Sequence, residues 1–252
     1  MNTLSLVFSY GLVVLALLIS WWHGLRMEKE MVLSSLRATV QLIVVGFLLE
    51  AIFKIESTGY LFLILLFMCG VGGVVSGNRG REVPASHAIA FAGIVAGSSG
   101  TFAVLFWAGV IHPEPRYIIP IGGMIIGNSM NTASLTFNRL AAELKHQRGR
   151  IETLLALGAD AGQASLDAVR QSVKAALIPT FDSMKTVGLV HLPGIMTGYI
   201  IAGGSPLTAV KYQLAIMYML GGAAGLTCLA VALLAYRRCF NSDLQLALRL
   251  RA

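Results

Sequence analysis

Long apolar runs dominate the chain, and short polar segments separate them. Seven such runs cover residues 4–22, 38–53, 59–77, 86–111, 117–137, 186–204 and 209–236. Most are close to the roughly 20 apolar residues that a transmembrane helix needs to cross a bilayer. The pattern therefore predicts an all-α integral membrane protein with about seven transmembrane helices. The second run is short and extends back into an amphipathic stretch that begins near Met27.

The composition favours a membrane protein and argues against a soluble domain. Hydrophobic residues make up 56% of the 252 residues and charged residues only 12%, whereas soluble domains carry about 25% charged residues. We therefore expect a single transmembrane domain over residues 1–252, with a larger polar segment at about residues 138–185. Residues 1–22 carry no basic segment and no A-x-A site, so the first run is expected to be a retained span.

The basic residues predict how the spans are oriented. With seven spans and the N-terminus outside, sixteen of the nineteen lysines and arginines fall on the inner side. The three on the outer side are Lys54, Arg116 and Lys211. Because cytoplasmic loops are enriched in lysine and arginine, we expect the N-terminus outside and the C-terminus inside. This asymmetry explains the net charge of +7 better than nucleic-acid binding does.

Glycines four residues apart predict close helix packing. Such pairs let helix backbones approach each other in lipid. They occur at Gly73/Gly77, Gly93/Gly97, Gly123/Gly127, Gly194/Gly198 and Gly221/Gly225. Pro193 lies inside the sixth run and predicts that this span is bent or broken.

The polar segment between Asn138 and Lys185 is the one stretch outside the apolar runs that could dock another protein. Its pattern predicts a helix, a turn at Gly158-Ala159-Asp160, and a second helix from Gln163 to about Leu177. Asp160 is a suitable N-cap for that second helix. From composition alone, the segment is either such a docking element or a solvated helical hairpin that joins two spans.

Residues Glu152 to Ala164 resemble the EAA-type cytoplasmic loop of ABC transporter permeases. In that loop a glutamate precedes a glycine by six residues, as Glu152 precedes Gly158. The family's coupling helix sits beside this glycine and occupies a groove of the ATP-binding subunit. Pro179 follows the glycine about two helical turns later than the proline of that loop. The resemblance implies a coupling role for Glu152, Leu157, Gly158, Ala159, Asp160 and Gln163.

A longer stretch, from Arg170 to Gly198, resembles the FetB family. These proteins are small membrane subunits of bacterial ABC exporters linked to iron efflux, and a plant branch is linked to aluminium tolerance. The similarity runs from about residue 30 to 240 and includes Arg37-Ala-Thr-Val-Gln41-Leu. Further matching pieces are residues 119–128 and 206–213.

The resemblance implies a permease subunit of a heteromeric ABC transporter in the cytoplasmic (inner) membrane. The expected assembly is a homodimer of this chain with two copies of an ATP-binding cassette ATPase subunit, and the expected activity is export of iron or another metal ion. The chain has no Walker A pattern, G-x-x-x-x-G-K-[ST]. We therefore expect ATP and magnesium in the partner subunit, and neither a cofactor nor a catalytic residue in this chain.

Polar side chains in the fifth and sixth runs are candidates for a transport pathway or its gate. Met124, Asn128 and Asn131 are spaced i, i+4, i+7 and share one helix face. Amides within a membrane face a bundle interior or a pathway, so they either contact cargo or form hydrogen bonds between helices. Asp182 and Lys185 mark the entrance of the sixth run, as a gate or as an interfacial ion pair.

His191 is a possible metal ligand, because imidazole binds iron, zinc and copper. It has no carboxylate or second histidine at i±3 or i±4, so two copies would have to meet across a dimer axis. The alternative is a histidine that packs beside Pro193. Sulfur-bearing side chains in the apolar runs form either a soft metal path or ordinary core packing. They are Cys69, Met196, Met217, Met219 and Cys228.

Two other classes of function remain open. A stand-alone secondary transporter would use a broken sixth helix with a site at the membrane midplane. It is disfavoured because the sequence has no internal two-fold repeat and almost no acid within its spans. An intramembrane enzyme would need a catalytic pair within the spans. It is disfavoured because neither His191 nor Asp182 has an evident catalytic partner.

Overall fold

The computed structural model describes residues 3–53, 58–110, 114–241 and 245–247, and in these residues the chain is all-helical. The prediction of an all-α protein is therefore confirmed. The helices, in chain order, are α1 (Thr3–Trp22), α2 (Glu28–Ile52), α3 (Thr58–Arg79), α4 (Ser86–Trp107), α5 (Pro115–His146), α6 (Arg148–Ala156), α7 (Ala161–Thr186), α8 (Gly194–Ile201) and α9 (Pro206–Arg238).

The chain divides into two compact units, Met1–Glu56 and Ser57–Ala252. In the first unit, α1 and α2 contact each other. The Ser20 hydroxyl donates to Glu28 Oε1 at 2.9 Å, which fixes the turn between them. The apolar section of α2 has no buried residue, and Leu42 and Phe47 are exposed to 73% and 75%. So large an apolar surface requires lipid or another helix to cover it.

In the second unit, α4, α5, α7 and α8 all pack against α9. Helix α3 packs against α4 and α5, and α7 also packs against α5. Thr136, Cys228 and Ala224 are fully buried where α5 and α9 meet. The core is built largely from such small residues, and small residues let helices pack closely without a hydrophobic driving force.

Two of the five glycine pairs lie at close helix contacts. A Cβ on Gly77 would come within 2.6 Å of the His87 backbone, which places α3 directly against α4. Gly93 and Gly97 pack in the same way against Val231 and Thr227 of α9. The remaining pairs include glycines with nothing within 4 Å of a Cβ, namely Gly127, Gly194, Gly198 and Gly225. The spacing of the glycines alone therefore does not show which pairs lie at a contact between helices.

Within the described residues, four helical segments are long and apolar enough to cross a membrane: Glu28–Glu50, Gly59–Arg79, Ser86–Trp107 and Pro206–Arg238. Helix α1 contributes a shorter apolar segment, Tyr10–Trp22. The count of seven spans and the orientation of the termini stay predictions. The sixth apolar run is broken, as the position of Pro193 predicts, because that residue caps α8. Helix α8 has 8 residues, about 12 Å, against about 30 Å of hydrocarbon.

One end of the second unit gathers basic side chains. Lys145, near the end of α5, forms an ion pair of 2.9 Å with Glu82 in the α3–α4 turn. A Cβ on Gly162 of α7 would lie 3.6 Å from the Tyr236 hydroxyl near the end of α9. The α3–α4 turn, the end of α5, the start of α7 and the end of α9 therefore lie at the same end, which we call the basic end.

Candidate functional site

The turn between α6 and α7 has a well-defined backbone structure. The amide of Gly158 donates to the Leu155 carbonyl at 3.0 Å, and the amide of Ala159 donates to the Leu154 carbonyl at 3.0 Å. These two bonds form a Schellman motif, which needs a left-handed residue after the helix. Gly158 supplies it with φ +91°. The sharp turn expected at this glycine is therefore confirmed.

Helix α7 starts with a capping box, which confirms Asp160 as its N-cap. The Gln163 amide donates to Asp160 Oδ1 at 2.7 Å, and the Asp160 amide donates to Gln163 Oε1 at 3.2 Å. Two free amides at the helix start are satisfied in this way. Asp160 and Gln163, predicted to couple to an ATPase, therefore also have a local structural role.

Helices α6 and α7 form a hairpin with an exposed apolar tip. Arg150 Nη2 lies 2.6 Å from Asp167 Oδ2 and joins the two helices. Glu152 pairs with Arg148 on the same helix at 2.7 Å. Leu157, at the tip, is exposed to 79%. The side chain of Leu157 is therefore available for contact at the tip of the hairpin.

A cavity of about 190 Å³, lined by both polar and apolar side chains, lies between α5, α7 and α9. Asn128 and Asn131 of α5 line it, as the helical spacing predicts for a shared face. Asn128 Nδ2 donates to the Leu220 carbonyl of α9 at 2.9 Å, so this amide forms the hydrogen bond between helices that was its alternative role. From α7 come Pro179, Thr180 and Ser183. Asn131 remains exposed.

The structure does not bring the other pathway candidates into this cavity. Met124 lies half-buried one turn before Asn128. Asp182 and Lys185 form an ion pair of 3.6 Å in the last turns of α7, with side chains exposed to 60% and 74%. Met196 is half-buried on α8. Of the predicted candidates, only Asn128 and Asn131 line the cavity, and the others lie on α5, at the end of α7 and on α8.

His191 lies exposed in the turn between α7 and α8, where its carbonyl accepts from the Gly188 amide at 3.0 Å. Within the part of the chain that the structure describes, no three His, Cys, Asp or Glu residues group as metal ligands do. Burial raises the pKa of the Cys239 thiol to about 12, so this thiol stays protonated at neutral pH.

Sequence reasoning missed the α7 side of the cavity. This side of the cavity consists of residues that share one helix face by their spacing, namely Ala176, Pro179, Thr180 and Ser183. That spacing was the sequence signal that could have identified them. It was not used because the second helix was expected to end near Leu177, whereas α7 continues to Thr186. Pro179 does not end the helix.

Two leucine variants separate the structural and lining roles of the asparagines. Asn128→Leu is expected to lower stability by about 0.6–2 kcal/mol, because the bond to the Leu220 carbonyl is lost. Asn131→Leu is expected to leave stability unchanged, since its side chain is exposed. Thermal melting of both variants in detergent checks this. Equal melting temperatures would contradict a structural role for the Asn128 bond.

Comparison with known proteins places the chain in a family. Residues 3–240 match the model of the Uncharacterised protein family (UPF0014). The chain is 41% identical to Protein ALUMINUM SENSITIVE 3 of Arabidopsis thaliana, over 93% of this chain and 86% of that protein. It is 40% identical to the Probable iron export permease protein FetB of Escherichia coli, over 96% and 93%.

A third relative is the UPF0014 membrane protein YjkA of Bacillus subtilis, which is 36% identical over 98% of both chains. No solved structure matches the chain. The family model and these relatives cover nearly all of the chain, and several of its helices are apolar enough to span a bilayer. The chain is a multi-pass membrane protein and belongs to the UPF0014 family.

Proposed function

We propose that this chain is the permease subunit of a heteromeric ABC transporter that exports iron or another metal ion. The observation that carries the proposal is the α6–α7 hairpin, whose capped turn presents the exposed Leu157. The relative named as a probable iron export permease supports both the permease role and the cargo. The ATPase is a separate subunit that binds ATP and magnesium, and this chain is non-catalytic.

The proposed assembly is a homodimer of this chain with two ATPase subunits at the basic end. One permease domain over residues 1–252 crosses the inner membrane seven times, with the N-terminus outside and the C-terminus inside. Lys145, the hairpin, and the last turn of α9 with Arg237 and Arg238 lie at one end, which supports this orientation, because cytoplasmic segments are rich in lysine and arginine.

Coupling follows from the continuity of α7. ATP binding closes the two ATPases, and the hairpin residues Glu152, Leu157, Gly158, Ala159, Asp160 and Gln163 move with them. Helix α7 runs without a break from the hairpin turn past the cavity wall to Thr186, over 26 residues, or about 39 Å. The Arg150–Asp167 ion pair ties α6 to this helix. A shift of the hairpin therefore displaces Thr180 and Ser183 relative to α5 and α9.

The proposed pathway includes the cavity between α5, α7 and α9. Asn128 and Asn131 supply amide oxygens there, with Met124 one turn away on the same helix. Asp182, Lys185 and Met196 lie beyond the cavity as the gate, and His191 is the candidate metal ligand beside them. Movement of α7 would open this wall alternately to the two sides.

The test is ATP hydrolysis by this chain co-purified with its candidate ATPase, with and without ferrous iron. We expect a stable complex whose ATP turnover rises with iron. Manganese and magnesium at equal concentration are the controls for a general cation effect. A stable complex that is indifferent to every metal would keep the permease role and remove the metal cargo.

A secondary transporter is the second candidate, because residues 187–193 interrupt the helical path between α7 and α8. Broken helices form the substrate sites of several secondary transporters. This function needs no ATPase. Purification in mild detergent without any bound ATPase, together with ion-driven uptake into vesicles, would favour it over the ABC permease.

A further inference from the structure

We infer that the exposed face of α7 lines a water-filled cavity at membrane depth and that its positive charge selects an anionic cargo. The cargo class is a negatively charged complex of the metal ion with a small molecule that bears carboxylate or phosphate groups. The choice of cargo rests on the proposed transport function, but the position of the α7 face does not. By "exposed face" we mean Arg170, Lys174, Ile178, Phe181 and Lys185, which recur at helical spacing.

The depth of α7 follows from its contacts with α9. Between Lys211 and Arg237, helix α9 has 25 residues without a charge. A bilayer core takes about 20 of them, and every choice of 20 includes residues 217–231. Cys228 Sγ of this section lies 3.9 Å from the Val173 carbonyl of α7. The Met184 sulfur would lie 3.0 Å from a Cβ on Gly221. The part of α7 from Val173 to Met184 is therefore at membrane depth.

The two sides of α7 differ in charge and in side-chain size. Its packed side carries small residues, and Ala168, Ser172 and Ala176 are buried against the bundle. The opposite side exposes Lys174 and Ile178 at the depth of Cys228 and Gly221. Charged side chains at membrane depth face a bundle interior or water rather than lipid. A charge at this depth therefore favours water or protein over lipid on the Lys174 side of the helix.

Water is a better cover for the exposed face of α7 than a second protein surface in direct contact with it. In the proposed homodimer, two such faces in direct contact would place cations against cations, which is unfavourable. The cavity between α5, α7 and α9 adjoins this helix and adds the polar side chains of Asn131, Thr180 and Ser183. A water-filled space bounded by α7 satisfies both observations.

The charge balance of the face points to an anion. Arg170, Lys174 and Lys185 are positive, and Asp182 is the acid beside them. Asp182 pairs with Lys185 at 3.6 Å. The nearest acid of Arg170, Asp167, lies 4.0 Å away and is held more closely by Arg150. Lys174 has no ion-pair partner among the residues that the structure describes. A bare divalent cation would be repelled by this wall, whereas an anion would be attracted.

Cysteine labelling in intact membranes tests water access and electrostatic potential together. The background lacks the native Cys69, Cys228 and Cys239, and a single cysteine replaces Ile178. The matched control is Leu229→Cys, an exposed residue next to Cys228 on α9. The reagents are an anionic sulfonatoethyl and a cationic trimethylammonioethyl methanethiosulfonate, whose rate constants are compared with those for free cysteine.

We expect Ile178→Cys to react at least about tenfold faster than Leu229→Cys, because only the former meets water. Its ratio of anionic to cationic rate constants is expected to exceed that of free cysteine. Adding Lys174→Gln should lower this ratio about fivefold, since the charge lies one helical turn away. A Lys174→Arg variant keeps the charge and should keep the ratio.

Each outcome decides the inference. Equal reactivity of the two cysteines would overturn the water-filled cavity. Fast labelling without preference for the anionic reagent, or a preference that survives Lys174→Gln, would overturn the anionic cargo. The labelling needs no ATPase, so failure of the ABC proposal would appear separately, as loss of ATPase co-purification with labelling unchanged.

Discussion

Leu157→Glu is expected to release the partner ATPase while the permease stays folded in the membrane. Leu157 is exposed to 79% at the tip of the α6–α7 hairpin, so its replacement leaves no cavity. A central apolar anchor of an interface contributes about 2 kcal/mol or more to binding, and about 2 kcal/mol corresponds to a roughly thirtyfold weaker complex. Co-purification of the ATPase and metal-stimulated ATP hydrolysis measure the effect.

The matched control is Leu207→Glu. Leu207 is exposed to 77% and lies near the start of α9, at the end opposite the hairpin. This variant should retain the ATPase, because the same change of side chain is made far from the proposed interface. If both variants bind the ATPase as the parent chain does, the hairpin is only a connector between α5 and α7. Thermal melting of the two variants should be equal.

Gly97→Val is expected to lower the free energy of unfolding by about 1–3 kcal/mol, which is the usual cost of overpacking a close contact. A Cβ on Gly97 would overlap the Thr227 hydroxyl and come within 3.0 Å of the Ala223 carbonyl. The α4 and α9 backbones would have to separate. Melting temperature in detergent and the amount of protein recovered from membranes measure the loss.

Gly127→Val makes the same change in α5, where nothing lies within 4 Å of a Cβ. Both glycines lie inside helices, so the two variants share the change in helix propensity, and their difference reports the contact with α9. A melting temperature for Gly97→Val that matches Gly127→Val would show that the α4–α9 contact has room for a side chain.

The sequence predicts most helices well because apolar runs and local caps carry the signal. The runs 59–77 and 86–111 correspond closely to α3 and α4. Asp160 was recognisable as an N-cap because capping depends on neighbours within one helical turn. The turn at Gly158 was recognisable for the same reason.

The structure of the sixth run was harder to predict. Hydropathy reports how favourably side chains transfer into lipid, but it does not report whether the backbone hydrogen bonds of a helix continue without a break. Gly188 and Gly203 adopt positive φ angles, and Pro193 lies between them, so a strongly apolar run contains one short helix. Helix α7 shows the converse. Its packed side is built from alanine and serine, which give no hydropathy signal, so its extension past Leu177 was not expected.

The cavity could not be predicted from spacing alone. Asn128 contacts Leu220, which is 92 residues away along the chain, and the α7 wall lies between them in sequence. The asparagine face was evident from its helical period, but its neighbours depend on how three helices pack. The separate placement of Met196 and His191 depends on the break before α8 for the same reason.

The uncovered surface of α2 has a consequence for how this chain tolerates mutation. Leu42 is exposed to 73%, whereas Phe137 of α5 is fully buried. Truncating Phe137 would remove transfer energy and leave an empty volume among fixed neighbours. Where lipid covers α2, truncating Leu42 would change only the partition of one side chain into lipid, because fluid acyl chains fill the space. Substitutions on such a surface are then limited by membrane solubility, whereas substitutions at Phe137 are limited by fit.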